Sequence, residues 1–169
     1  TTIPSGSVPA TYGEGPSHGV NSDVLGKFAK LGYYLNVDHI DSDGLWKDRY
    51  TRKESFYGKL KLALANDIAL GLTYSDSFPR YKTSEYEAGN SIQYIRNHTS
   101  FGALNLDVPI GESLHLHASL NRFIMDYTDN RNTFTTNAYN WHQMWAEAAT
   151  EGSVRLSWEG EKHSAVLGA

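Results

Sequence analysis

The sequence contains no cysteine, and this absence excludes several kinds of site. Without a thiol the chain has no disulfide scaffold, no thiolate zinc centre and no cysteine nucleophile. It has no run of about 18 apolar residues, so no transmembrane helix is expected, and Thr1 opens no signal-peptide pattern. Basic residues are fewer than acidic ones, with 15 Lys and Arg and 19 Asp and Glu. Nucleic acid is therefore not an expected partner.

Aromatic residues and glycine are what the sequence has in quantity. It contains 11 Tyr, 4 Trp, 6 Phe and 15 Gly, and yet its mean hydropathy is polar. Tyrosine and glycine are more typical of strands, turns and interfaces than of helical cores. The composition therefore indicates an all-β protein with a wet interior.

Strict apolar–polar alternation appears in several short segments and predicts paired β-strands. The clearest are Leu31–Asp38, Phe56–Ala65, Ile68–Ser75, Phe101–Val108, Ser113–Arg122, Ser153–Trp158 and His163–Ala169. Together they predict an antiparallel up-and-down meander of about seven to eight strands. The segment Trp141–Thr150, "WHQMWAEAAT", also fits a helix because alanine and glutamate favour helices. We prefer a strand that continues to Trp158.

The spacing of turns divides the chain into an irregular linker over 1–27, rich in Gly, Ser and Pro, and a partial β-barrel domain over 28–169. Within the linker only a weak strand that ends near Val24 and pairs with Leu31–Asp38 is expected. Short and long connections alternate along the second part. Short turns are predicted near 26–30, 66–67, 109–112 and 159–162, and long loops over 40–55, 76–98 and 127–140. In a meander, alternate connections lie at the same end of the sheet. All the long loops are therefore expected at one end.

The two faces of the predicted strands differ in a way that suits a membrane. One face is almost continuous leucine, whereas the other carries small and polar residues such as Thr73, Asn105 and Ser119. A closed sheet with apolar residues outside, polar residues inside and long loops at one end is typical of a transmembrane β-barrel. Tyr33, Tyr57, Tyr74 and Trp158 lie near the ends of the apolar segments, where an aromatic girdle is expected.

Two stretches resemble a known family. "GKFAKLGYYLNVDHIDSDGLWKDRYTRKESFYGKLKLALANDIALGLTYSDS" is similar to the early barrel of TonB-dependent outer-membrane receptors, and "VRLSWEGEKHSAVLGA" is similar to a later hairpin of that barrel. The family's plug domain and energy-coupling segment are not seen, and the chain stops in mid-strand at Gly168-Ala169. It is therefore expected to be a piece of a longer receptor.

The resemblance implies a place in the bacterial outer membrane, in contact with its lipid. It further implies that extracellular loops bind a scarce solute, such as a ferric siderophore, haem, cobalamin or a glycan. Import would depend on a periplasmic energy-coupling protein that acts on parts of the receptor outside this sequence. No enzymatic activity and no cofactor are expected.

Aromatic residues in or beside the predicted long loops are the candidates for solute binding, because large amphipathic rings bind at little entropic cost. These candidates are Trp46, Tyr50, Tyr81, Tyr86 and Trp141. The alternative is that such rings pack at strand ends or within the loops.

Three other groups of polar residues have spacings compatible with metal binding or catalysis, but each has a simpler structural explanation. His115 and His117 share a face and have a spacing that could hold a metal, but two polar histidines that face the lumen are the preferred interpretation. Asp38, Asp41 and Asp43 resemble a calcium loop without its closing glutamate. Asp76, Glu85 and Glu87 could be imagined as a glycosidase pair, although solvated carboxylates are the default. No metal site is therefore assigned, and no catalytic motif is found.

A second class of protein remains open. A small soluble or secreted β-barrel or sandwich that binds a ligand or carbohydrate would bury the leucine face in its own core. A cupin-like metalloenzyme that uses His115 and His117 is a third possibility. The first two differ in whether lipid or protein covers the leucines.

Overall fold

The computed structural model describes residues 2–13, 17–43, 49–85, 91–133 and 139–169. These residues form one antiparallel sheet of ten strands. The strands are β1 Thr2–Ser7, β2 Ala10–Gly13, β3 Ser17–Phe28, β4 Leu31–Ser42, β5 Tyr50–Ala63, β6 Ala69–Glu85, β7 Ser91–Ile110, β8 Leu114–Thr133, β9 Tyr139–Glu159 and β10 Ser164–Gly168. A 3₁₀ turn over Ala65–Asp67 joins β5 to β6. No helix among the described residues is long and apolar enough to cross a membrane.

The strand order is β1-β3-β4-β5-β6-β7-β8-β9-β10, with β2 paired to the remaining length of β3. From β3 onward each strand pairs with the next in sequence. The predicted all-β antiparallel meander is therefore confirmed. The sheet is open, and it has more strands than the seven to eight that the sequence indicated.

The extra strands come from the N-terminal segment, where the prediction of an irregular linker over 1–27 is wrong. β3 pairs with β4 along its whole length, from Ser17 opposite Ser42 to Phe28 opposite Leu31. β1 and β2 then pair with the two halves of β3. Backbone hydrogen bonds to a neighbouring strand outweigh the weak strand propensity of glycine and serine here.

The predictions of two of the long loops, over 76–98 and 127–140, are also largely wrong. β6, β7, β8 and β9 are 17, 20, 20 and 21 residues long, so they extend through most of 76–98 and 127–140. The segment Trp141–Thr150 is strand, not helix. In the range 40–55, β4 continues to Ser42 and β5 begins at Tyr50. These extensions mix polar, charged and aromatic residues on both faces, so they lack the apolar alternation by which strands are recognised.

The short connections lie at one end of the sheet, around 29–30, 64–68, 111–113 and 160–163. Left-handed residues close three of them: Ala29 with φ 51°, Asn66 with φ 57°, Asp67 with φ 58° and Gly111 with φ 72°. We call this the turn end and the opposite end the loop end.

Register gives the sheet one apolar and one polar face, because residues directly opposite each other share a face. Leu60, Leu72, Leu104 and Leu120 form one cross-strand row. With their neighbours they form the apolar band, which occupies the turn-end half of this face. Its members are Leu31, Tyr33, Leu35, Val37, Phe56, Leu60, Leu62, Leu70, Leu72, Tyr74, Leu104, Leu106, Val108, Leu114, Leu116, Leu120, Val154, Leu156 and Trp158.

The described part of the chain encloses almost no hydrophobic core. Its only buried apolar residues are Ile92 and Ala103. By contrast, Leu72 is 46%, Leu104 44% and Leu120 52% exposed. The sheet therefore presents its leucines outward and does not cover them with a second layer of its own.

A tyrosine ring covers a glycine within the apolar band. Gly26 in β3 lies directly opposite Tyr33 in β4. A Cβ atom at Gly26 would stand 2.6 Å from Tyr33 Cζ, so the ring occupies the space that a side chain would need. An aromatic ring over a strand glycine restores the packing that the glycine lacks.

We predict that Gly26→Ala lowers the free energy of unfolding by about 1 kcal/mol, because the new methyl group forces the Tyr33 ring away from position 26. Gly102→Ala is the matched control. Gly102 lies on the same face, and nothing stands within 4 Å of a Cβ built there. Alanine at Gly102 should be neutral or slightly stabilising. Urea unfolding followed by tryptophan fluorescence measures both variants, and equal stability would contradict the predicted role of Tyr33.

Candidate functional site

The polar face carries a group of aromatic and polar side chains at the loop end. Tyr81 in β6 lies in one row with Ile95, Asp129 and Gln143. The adjacent rows bring Gln93 beside Arg131 and Trp141, and Asn97 beside Tyr127 and Trp145. The loop-end cluster is defined as Tyr81, Gln93, Asn97, Tyr127, Asp129, Arg131, Trp141 and Trp145. It is built from four neighbouring strands, β6 to β9.

The aromatic part of the loop-end cluster offers flat surfaces to solvent. Tyr127 and Trp145 stack with their ring centroids 4.3 Å apart and 16° between their planes. The Arg131 guanidinium carbon lies 5.0 Å from the Trp141 ring centroid, a cation–π arrangement. Trp141 and Trp145 are 40% and 41% exposed. Rings held in place by neighbours and still open to solvent can contact a ligand with little loss of rotamer entropy.

Asp129 is the most enclosed polar residue of the cluster, with 3% of its surface exposed. Its Oδ2 accepts a hydrogen bond from Gln93 Nε2 at 2.7 Å, and Arg131 Nη2 lies 3.8 Å from the same oxygen. Thr83 Oγ1 donates to Gln93 Oε1 at 3.4 Å, which orients the amide. A chain of hydrogen bonds thus fixes the carboxylate from one side.

Two acceptors of the cluster are buried without a hydrogen-bond partner among the described residues: Asp129 Oδ1 and Asn97 Oδ1. Leaving a buried polar atom unpaired costs roughly 1–3 kcal/mol, and such groups are uncommon in native proteins. They lie on adjacent strands of one face, next to exposed indole rings. The arrangement suits a ligand that donates hydrogen bonds and stacks on an aromatic surface.

Tyr127 is electrostatically coupled to the cluster. Burial raises the pKa of its phenol above 10.0, the Asp129 carboxylate raises it further, and the Arg131 guanidinium partly offsets both effects. The environment of the cluster therefore favours the neutral phenol over the phenolate.

The five aromatic candidates from the sequence do not all belong to one group in the structure. Tyr81 and Trp141 belong to the loop-end cluster. Tyr50 is on the opposite face, where the Arg52 guanidinium carbon lies 5.1 Å from its ring centroid. Trp46 and Tyr86 lie outside the described residues.

Sequence reasoning missed the polar members of the cluster because it placed them in loops. Gln93, Asn97, Tyr127, Asp129 and Arg131 alternate along strands β7 and β8. The available signal was the recurrence of polar residues at every second position. A search for alternating apolar residues does not detect it.

The other candidate groups are engaged in ordinary pairings. His117 Nδ1 is 2.7 Å from Asp107 Oδ1 at the turn end of the polar face. Asp38 accepts from Lys53 Nζ at 3.2 Å.

The calcium-like and glycosidase-like groupings, neither of which was assigned as a site from the sequence, are not assembled by the described residues. Asp38 and Asp41 project from opposite faces of β4, so they do not converge on one ion. Asp76 Oδ1 lies 2.7 Å from His98 Nε2 on the apolar face, beyond the band. Glu87 lies outside the described residues.

No protein-family model matches the chain, and no curated protein matches it significantly.

We predict that the protein loses stability above pH 10 and that Tyr127→Phe loses less. The raised pKa means that the unfolded tyrosine ionises first, so the native state binds more protons and the free energy of unfolding falls as pH rises. Urea unfolding between pH 9 and about 12 compares the slopes in the two proteins. Tyr57→Phe, a tyrosine on the same face at distant rows, is the control, and an unchanged slope in Tyr127→Phe would contradict the coupling.

Proposed function

We propose that the chain is barrel wall from an outer-membrane receptor of the TonB-dependent type, which binds and imports a scarce solute. The observation that carries this proposal is the apolar band, which is exposed on one face and confined to the turn end of every long strand. The family resemblance in two stretches of sequence points the same way.

The apolar band is too large to remain in water. Soluble monomers rarely expose contiguous apolar patches of more than a few hundred Å², whereas this band crosses β4 to β9 without interruption. No second layer within the described residues covers it. A lipid bilayer would cover it with acyl chains along its whole width.

A row of arginines crosses the apolar face beyond the band. Arg52, Arg80 and Arg96 form one cross-strand row on β5, β6 and β7. Arg52 pairs with Asp41 at 3.2 Å, and all three arginines are exposed. Such a row is costly inside hydrocarbon. It therefore supports an assignment in which the turn-end half of each strand crosses the membrane and the loop-end half projects into water.

The polar face fits the wall of a wet interior. Asn36 Nδ2 donates to Asn21 Oδ1 at 3.0 Å, and the hydroxyls of Ser119 and Ser153 are 2.8 Å apart. These groups satisfy one another across strands without forming an apolar core. On this proposal the loop-end cluster lies at the extracellular side of the interior, where an incoming solute first meets the barrel.

The solute class follows from the chemistry of the loop-end cluster. Exposed indole faces beside the unpaired acceptors Asp129 Oδ1 and Asn97 Oδ1 favour a molecule with ring or plate-like surfaces and hydroxyl or N–H donors. Glycans, siderophores and tetrapyrroles share these features to different degrees. Energy for import would come from a periplasmic coupling protein.

The membrane proposal predicts lipid contact with a period of two along the strands. The chain has no cysteine, so single-cysteine variants carry one label each. Leu72→Cys and Leu104→Cys lie on the apolar band, and their neighbours Thr73→Cys and Asn105→Cys lie on the polar face. With an environment-sensitive fluorophore in lipid vesicles, the first pair should be quenched by doxyl-labelled lipids and the second pair should not.

Equal quenching of all four positions would contradict the proposed orientation. A chain that is folded, monomeric and soluble without detergent would overturn the membrane assignment. It would favour the small ligand-binding barrel or sandwich in its place. Heat-modifiable migration on a gel in mild detergent is the companion measurement for a membrane barrel.

The binding proposal predicts that Trp141→Ala and Asp129→Asn each weaken solute binding by about 5-fold to 150-fold, because each removes a contact worth roughly 1–3 kcal/mol. Calorimetry against a panel of one glycan, one ferric siderophore, haemin and cobalamin identifies the solute. Tyr50→Ala is the matched control on the opposite face and should bind normally. Binding that is lost in the control, or that survives both cluster variants, would contradict this site.

A further inference from the structure

We propose that His18, His39 and Asp41 form a binding site for a divalent transition metal such as Zn²⁺. The three side chains lie on the apolar face beyond the band, near the loop ends of β3 and β4. One ligand atom from each of the three lies within 4.8 Å of the others. The two imidazole centroids are 6.0 Å apart, with 41° between the ring planes.

The antiparallel register produces this convergence. His18 in β3 is directly opposite Asp41 in β4, and His39 lies two residues before Asp41 on the same face. Side chains opposite or diagonal in such a pair have Cβ atoms within roughly 4.5–8 Å. Two histidines far apart in sequence are thus placed at metal-ligating distance by backbone pairing alone.

The donor set selects the class of metal. Two imidazoles and one carboxylate suit Zn²⁺, Fe²⁺, Ni²⁺ or Cu²⁺, whereas Ca²⁺ and Mg²⁺ prefer all-oxygen sites. Three protein ligands leave a fourth position for water or a further donor. Glu54 in β5 lies directly opposite His39 on the same face and is exposed, which places another carboxylate beside the site.

Asp41 is already oriented by a neighbour. Arg52 Nε lies 3.2 Å from Asp41 Oδ1, which leaves Oδ2 available to a metal. A hydrogen bond to a ligating carboxylate is a common supporting contact in metal sites. Among the described residues this is the single group of three or more such donors that satisfies the distance.

The sequence pair His115 and His117 provides the contrast. It has the more obvious spacing, but among the described residues it does not belong to a group of three donors within the same distance. The proposed site does not depend on the transport proposal, since it lies on the other face from the loop-end cluster. A metal bound there would join β3 to β4 beyond the apolar band.

Calorimetric titration of the chain with Zn²⁺ tests the site, with Ca²⁺ as the comparison ion. We expect one saturable Zn²⁺ site and no comparable Ca²⁺ binding. His18→Ala and His39→Ala should each weaken Zn²⁺ binding at least about tenfold, and Asp41→Asn should weaken it as well. The double variant with His115→Ala and His117→Ala is the matched control and should bind as the parent does.

A second measurement distinguishes a variant that is destabilised from a variant that has lost only a metal-binding side chain. Zn²⁺ should raise the urea midpoint of the parent and of the His115/His117 control, because a ligand that binds the native state stabilises it. It should not raise the midpoint of His39→Ala, whose metal-free midpoint should stay near that of the parent. The absence of saturable binding to the parent would overturn the proposal, as would binding lost only in the control.

Discussion

The register of the antiparallel pairs is the constraint on which the rest of this structure depends. Side chains alternate between faces with a period of two, so a slip of one residue would move every leucine of a strand to the polar face. From β5 to β8 the described pairs keep leucine opposite leucine in the row that contains Leu60 and Leu72. The same pairing that builds the apolar band therefore also decides which polar residues meet on the other face.

Each long strand consists of two halves that are specified differently. In the turn-end half, the alternation of leucine with small polar residues selects the register directly. In the loop-end half, polar, charged and aromatic residues are mixed on both faces, and the strand pairing continues in the register set by the turn-end half. The loop-end cluster and the His18–His39–Asp41 group both lie in this second half. The residue types in the loop-end half can vary, because the leucines of the turn-end half already fix the register.

This division explains how much the sequence could predict. The all-β meander follows from segments such as Ile68–Ser75, in which alternation and a tight turn agree. β3 was expected only as a weak strand that ends near Val24, because Ser22 and Gly26 interrupt Val20, Val24 and Phe28 on its apolar face. Its strand conformation depends on β4, which is a tertiary effect.

The sites were harder to predict than the strands, because their members come from different strands. Tyr81 and Trp141 were chosen as aromatic residues near expected loops, and the structure places them in one cluster. Nothing local relates Gln93 to Asp129, or His18 to Asp41. Those pairs exist only once the register between their strands is known. A site of this kind is invisible to a search for closely spaced motifs such as His115-Leu116-His117.

The membrane proposal places a further demand on the open sheet. Hydrocarbon offers no hydrogen bonds, so every backbone N–H and C=O group at membrane depth must pair with another strand. β10 pairs with Arg155–Glu159 of β9, which is the portion beside the apolar band. Above it, described residues of β9 such as Met144 and Trp145 are exposed along an edge. If the band lies in lipid, further strands must cover the outer edges of β1 and β10, whereas the loop-end edge of β9 can remain in water. Met144 lies in the cross-strand row of Arg96 and Thr128, so the unpaired edge of β9 around it lies at the level of the charged row beyond the band.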